Sequence, residues 1–433
     1  MVESTIRKNK ITLSDYNYQK DIENRLLLAQ FSIIDLEVLE EIIYSSLSIS
    51  VKKLAKDIDI DETELFSILE KFAKTGLLTY DEDLITVDKE MRKYYEMQIL
   101  MFDEDHQNGM EFLQSLLKKV PIHILPTWYS IPRTSNNIFE SLVEKYLLTP
   151  QIFHRYLMDL QFSEPAMASI VKDVYNSEEL KLSSQTLIDK YNLTKEQFEE
   201  YLLLLEFNFV CCLGYEKVNN TWKEVVTPYH EYREYLMFLK RTETVPFANQ
   251  IDSPKPFAFI QEMSALLNQI KKNPAPMSGK IVDKLRLLKL ADIVDGRLYA
   301  LDAANDFLEL PLENRAIFVY RHPLNRFIHP LSTEKNIREA EKSIIRVLNK
   351  GWVSFEEFFK GVLAPLNEGS AIMLKKVGKN WKYTIPEYTD EEQLFIKTII
   401  FDWLYQVGIT ATATIDGEEC FCITPFGQTL FGR

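Results

Sequence analysis

Residues 51–87 read VKKLAKDIDIDETELFSILEKFAKTGLLTYDEDLITV, and the fold turns on them. Val51 to Asp57 predicts a short helix and Ile58 to Ile60 a tight turn. Asp61 is a good N-cap, and Glu64 three residues on would close a capping box. Leu65, Ile68, Leu69 and Phe72 then share one helical face, and Gly76 stands where a C′ residue belongs. Leu77 to Tyr80 and Leu84 to Val87 predict a hairpin around the acidic turn Asp81-Glu82-Asp83. Upstream, Leu28, Ile33, Leu36, Leu39 and Ile43 recur at helical spacing. Helix, helix, turn, helix, hairpin predicts a winged helix-turn-helix.

The same grammar returns 133 residues later in SQTLIDKYNLTKEQFEEYLLLLEFNFVCCLGYEKVNNTWKEVVTP. Leu187 stands in the place of Leu54, Leu193 of Ile60, Thr194 of Asp61, Gln197 of Glu64, Phe198 of Leu65 and Leu202 of Leu69. Thr194 with Gln197 is again a capping box, and Asn219-Asn220 is the hairpin turn. One such match is weak, since many helical pairs fit it. Two in register, with caps and wings, specify a repeat.

A third, compact unit follows: a helix from Ser278 to Leu290, then a hairpin turned by Asp295-Gly296. The C-terminal part predicts a helix from Glu334 to Asn349, a second helix capped by Ser354 with Glu357, a hairpin over 372–385, and an apolar helix from Glu391 to Gln406. A last hairpin and FCITPFGQTLFGR end the chain. Hairpins at 84–95, 225–236 and 298–308 also leave through a Thr-Pro or Asp corner, because Pro cannot continue a ladder and suits a helix start.

The predicted fold class is mainly α with short β-hairpin wings, in tandem winged helix-turn-helix units plus a helical insert. The expected divisions are a polar arm (1–20), a first winged helix (21–96), a helical region (97–176) and a second winged helix (177–240). A linker and helix (241–276), a compact third unit (277–310) and a C-terminal winged-helix domain (311–433) complete them.

At 433 residues the chain needs more than one core. Its 13 Gly count against glycine-rich phosphate cradles. Four Cys make no disulfide framework, no apolar run reaches membrane-spanning length, and the first 20 residues lack the apolar core of a signal peptide. A reduced cytoplasmic protein without a membrane partner is expected.

Asp103-Glu104-Asp105-His106 imitates the acidic box of a helicase, but no G-x-x-x-x-G-K-[ST] loop accompanies it. Cys420 and Cys422 lack a second ligand pair for zinc, Cys211 and Cys212 sit in an apolar strand, and the six His are scattered. No HExxH or G-x-S-x-G is present. The expectation is a non-enzyme with no cofactor or metal.

Trp352, Val353 and Ser354, then Val407 and Gly408, then Ile423, Thr424, Pro425, Phe426 and Gly427 resemble the C-terminal region of bacterial helicase-associated proteins. These proteins are similar to the N-terminal part of a repair-helicase family. That family shows a Trp-Val-Ser helix start, a Leu-Gly turn and a terminal Leu-Thr-Pro-Leu-Gly. The resemblance covers about the last 100 residues. It implies tandem winged helices beside DNA-handling machinery, with no catalytic residues to carry over.

Charge divides the partner question. Net charge is −14, which repels nucleic acid on average. Asp61 to Lys74 holds four acids and two bases, and Thr194 to Glu206 four acids and one base. Glu62, Glu199 and Glu200 are therefore candidate contacts to a basic protein partner. Trp128 and Tyr129, in a Pro-bounded loop, are either further partner contacts or pins that hold the loop to the core. Lys280, Lys284, Arg286 and Lys289 on one helix, with Lys375, Lys376, Lys379, Trp381 and Lys382 on one hairpin, are candidate nucleic-acid contacts. Two functions follow: a protein-interaction scaffold or accessory subunit, and a DNA-associated regulator or helicase accessory working through the C-terminal half.

Overall fold

A computed structural model describes residues 11–103, 106–135, 137–219, 221–247, 256–378 and 380–432. The protein is mainly helical, with several small antiparallel sheets. It divides into two compact units. The first takes the chain up to Met237 together with Met373–Tyr383, and the second takes Phe238–Ile372 and Thr384 onward.

In the first unit, helix Ile33–Tyr44 leads to strand Ser48–Ser50, helices Val51–Ile58 and Glu62–Thr75, and strands Leu78–Tyr80 and Leu84–Val87. The last strand lies between the other two, pairing Ser48 with Thr86 and Leu78 with Val87. Leu39, Leu54, Leu65, Leu69, Phe72 and Ile85 are fully buried where these helices meet the sheet. A second set follows in the same order: Pro165–Asn176, Leu182–Ser183, Ser184–Tyr191, Lys195–Phe207, Cys212–Val218 and Thr221–Thr227. Its sheet again has the last strand in the middle.

The 133-residue register extends to the backbone. Asp59 and Asn192 are both left-handed, and the residues after them donate alike, Ile60 N to Ala55 O at 3.0 Å and Leu193 N to Ile188 O at 3.1 Å. Asn and Asp tolerate that conformation because their short polar side chains bond locally. Gly76 ends its helix at φ 80°, and Phe209, its counterpart, takes φ 63°. A bulky residue there is strained, and the ring offsets this by full burial and by stacking on Tyr129 at 5.2 Å.

The caps differ between the copies. Thr194 and Gln197 form the expected reciprocal box. The box expected at Asp61 and Glu64 does not form: the Asp61 carboxylate accepts from the Thr63 N–H and hydroxyl instead. At the hairpin exits, Asp88 accepts from Glu90 and Met91 N–H groups, and Thr424 from the Gly427 N–H. The corner at Thr227-Pro228 works otherwise, because His230 N donates to Asn108 O at 2.9 Å.

Between the two sets, helix Ile138–Leu142 runs into a π turn, Val143–Leu147, and stops before Pro150. Carbonyls at such an end have no intrahelical donor. The Lys-rich hairpin, strands Leu374–Val377 and Asn380–Tyr383, supplies two: Leu374 N donates to Leu148 O at 2.8 Å and Tyr383 Oη to Leu147 O at 2.7 Å. This hairpin therefore belongs to the first unit, although it lies far along the sequence.

In the second unit, helices Ala258–Lys272 and Lys280–Leu287 precede a hairpin of strands Ala291–Val294 and Arg297–Ala300. Asp295 and Gly296 are both left-handed in its turn. Farther on, Glu334–Ser343, Val353–Ser354, Phe355–Phe359, Asp390–Thr398 with its continuation to Gln406, Thr410–Ile415 and Glu418–Ile423 repeat the order seen twice in the first unit. Val353 is a strand residue paired with Phe421, and the Ser354 side chain makes no capping bond, so the box expected with Glu357 is absent. No helix among the described residues is long and apolar enough to cross a membrane.

Candidate functional site

The basic residues are only partly available. Lys280, Arg286 and Lys289 are exposed on or just after helix Lys280–Leu287. Lys284 is not. Its Nζ donates to Asn325 Oδ1 at 2.8 Å and lies 5.7 Å from the centre of the Trp403 ring, and burial lowers its pKa. On the hairpin, Lys375 and Lys382 are cross-strand neighbours in solvent, and Lys376 is exposed beside Trp381. The Trp381 ring is packed edge-on against Phe139 at 5.7 Å, and Lys379 lies outside the described residues.

Trp128 and Tyr129 are core pins. Trp128 is 4% exposed and donates Nε1–H to Asp15 Oδ2 at 2.7 Å, and Tyr129 donates its hydroxyl to Phe207 O at 2.8 Å. A partner cannot reach them. Of the acidic candidates, Glu62 is exposed and Glu200 half-buried, but Glu199 is fully buried. It lies 2.9 Å from Lys195 Nζ and 3.5 Å from Arg25 Nη1. Arg25 also binds both carboxylate oxygens of Glu206. Burial would lower the Arg25 pKa, but Glu206, Asp21 and Glu199 together raise it well above its usual value. This chain of charges ties helix Tyr18–Leu28 to helix Lys195–Phe207.

A cleft of about 340 Å³ lies in the first unit, lined in part by Asp103, His106, Glu111, His230, Glu231 and Trp381. The chain leaves its hairpin at Thr227, and the His230–Asn108 bond starts helix His230–Arg241 beside Gly109. Glu231, in the first turn, then meets the start of helix Met110–Leu117, where its Oε1 accepts from Met110 N at 2.8 Å. A Cβ at position 109 would collide with that oxygen, so the approach requires glycine.

Glu231 is 5% exposed, and burial pushes its carboxyl up to about 7 against the pull of the Met110 N–H. Its Oε2, His230 Nδ1 and Trp381 Nε1 are buried and have no hydrogen-bond partner among the described residues. Burial also lowers the His230 pKa. His106 Nε2 lies 2.9 Å from Asn108 Oδ1. A cleft with convergent unpaired polar atoms and a displaced carboxyl is a binding-site candidate.

Among the described lining residues there is no Cys, Ser or Thr to act as nucleophile. The four Cys are buried thiols, and burial raises the pKa of each. The described residues hold no cluster of three or more His, Cys, Asp or Glu that could bind a metal. Glu104 and Asp105 of the acidic box lie outside the described residues.

The sequence did not single out Glu231. In VVTPYHEYREYL it reads as an ordinary helix-start acid, and its burial depends on Gly109, far upstream. No protein-family model matches this chain, and no curated protein matches its sequence.

Proposed function

We propose that this is a non-catalytic accessory protein built of tandem winged helices, whose acidic first half docks onto basic surfaces of a partner protein. The carrying observation is the distribution of charge. Residues 1–237 hold 40 acids against 25 bases. Helix Glu62–Thr75, which would be the recognition helix of a winged helix, exposes Glu62, Glu64 and Glu70. Such a face repels phosphate and attracts a basic protein surface, steering its approach. The helix-strand-helix-helix-strand-strand order with its central last strand supports the winged-helix reading.

The test is partner capture by the full chain, compared with a variant carrying Glu62→Lys, Glu64→Lys and Glu70→Lys. Loss of the partner at physiological salt supports the reading, and equal capture by both proteins refutes it.

A second reading is favoured by the exposed cations Lys280, Arg286 and Lys289, by Lys375 beside Lys382, and by the helicase-associated resemblance of the last 100 residues or so. In it the protein works beside DNA as a regulator or helicase accessory. Anisotropy of labelled single- and double-stranded DNA, titrated across salt, tests it. Binding that weakens steeply with salt and is lost when Lys375, Lys376 and Lys379 become Glu supports DNA contact. Absence of binding at low salt removes it.

A further inference from the structure

The lining of the Glu231 cleft describes a class of ligand. Its described residues include the carboxylates of Asp103, Glu111 and Glu231 and neither Lys nor Arg. Phe112, Met97 and Trp381 supply apolar and aromatic wall. Glu231 Oε1 is held by the Met110 N–H, while Oε2 is buried with no partner among the described residues. A buried carboxylate oxygen needs a donor, and its charge is best met by a cationic one. An ammonium or guanidinium on an alkyl stem satisfies the acid with its head and the aromatic wall with its stem and charge. A phosphate would have to sit among three carboxyl groups with no Lys or Arg among the described lining residues, which disfavours it. A divalent ion would find no three-ligand group among the described residues. The volume, about 340 Å³, suits one side chain and is at the lower end for small-ligand sites.

We propose that this cleft receives the guanidinium or ammonium end of a basic side chain from a partner protein, with Glu231 Oε2 as its anionic contact and Trp381 as its wall. The proposal rests on the protein-docking reading above and names the chemistry of one contact. Position 109 is integral to it, because only glycine lets the carboxylate sit against the backbone that orients it.

Binding must be linked to protons. Glu231, raised to about 7, is largely neutral in mildly acidic solution and releases its proton to solvent when a cation binds. Glu111, His230, Tyr383 and Cys212 lie within its electrostatic reach or beside it, and His106 faces the same cleft. Tyr383 and Cys212 stay neutral in this range, since burial raises both. Protonation of His230 at lower pH also repels a cation, so it acts in the same direction, and Glu231→Gln separates the contributions.

The experiment is fluorescence anisotropy with the full chain and two labelled peptides, acetyl-Gly-Arg-Gly-amide and its norleucine counterpart, at about pH 6 and about pH 8. The arginine peptide is expected to bind more tightly at the higher pH, and the norleucine peptide not to bind. Glu231→Gln, which keeps the oxygen that accepts from Met110, should weaken arginine binding about tenfold or more and flatten its pH dependence. Trp381→Phe leaves Glu231 in place and should weaken binding several-fold, a check independent of the first variant's folding. Equal binding of both peptides, or undiminished binding to Glu231→Gln, overturns the proposal. Free argininamide binding far more tightly than the peptide overturns the protein source in favour of a small amine. Should wild type and Glu231→Gln capture the same partner equally, the cleft contact fails while the docking reading stands. If the arginine peptide binds but no partner is captured, the docking reading fails instead.

Discussion

Helices Glu62–Thr75 and Lys195–Phe207 hold the same place in two copies of one motif. Each, counted with its N-cap residue, carries four acids. The first leaves its acids in solvent. The second buries Glu199 and Glu206 completely and pairs them with Arg25, 174 and 181 residues away. The acids do not share register positions, since Glu199 and Glu206 match Phe66 and Ala73, so a similar acidic count serves an outward face in one copy and an internal clamp in the other. What separates them is where the acids stand on the helix: two of the second helix's four point at Arg25 of another helix.

The comparison can be broken most forcibly at Arg25. Arg25→Met leaves Glu206 buried without its cation and Glu199 with Lys195 alone, and a loss of about 3–5 kcal/mol is expected in urea denaturation. A loss below about 1 kcal/mol would mean the clamp is already solvated.

A smaller effect is expected at Glu231. Its folded pKa, about 7, lies above the unfolded value near 4.5. The neutral form is therefore favoured on folding. Its contribution is complete below the unfolded pKa and is lost as pH rises through the folded one. From pH 4.5 to above 7 it should cost about 3 kcal/mol, and Glu231→Gln should remove that part of the pH profile. A variant with an unchanged profile would place the carboxyl in water.

The caps sharpen the comparison further. Thr194→Ala removes a reciprocal box and Asp61→Ala a single acceptor, each worth about 1 kcal/mol, with Thr194 the larger. Thermal unfolding of the two variants would rank them. The smallest effect belongs to the exposed pair Lys74–Glu70, 3.1 Å apart on the first helix. Lys74→Ala should change stability by about 0.5 kcal/mol or less, and its effect should fade with salt.

Much of the repeat was legible because its signals are local. The hairpin turn Asp295-Gly296, the stop at Gly76 and the box at Thr194 each rest on residues within a few positions of one another. The failures were of two kinds. At Asp61 and Ser354 the right residue types stood at the right spacing, but the carboxylate of one chose Thr63, and the hydroxyl of the other is buried without a described partner. At Trp128, Tyr129 and Glu199 the surroundings come from distant segments, so exposure could not be judged from neighbours in sequence. The same holds for Lys284, covered through Asn325 and Trp403.

Sequence alone was enough for the mainly helical class, the turns and the spacing of the repeats, because hydrogen bonding and helical periodicity act over a few residues. Three-dimensional packing chose which carboxylates face water, set the Lys-rich hairpin on the carbonyls of Leu147 and Leu148, and brought Gly109 to Glu231. These choices rest on contacts across a hundred residues or more, where desolvation and pairing of charge outweigh local preference.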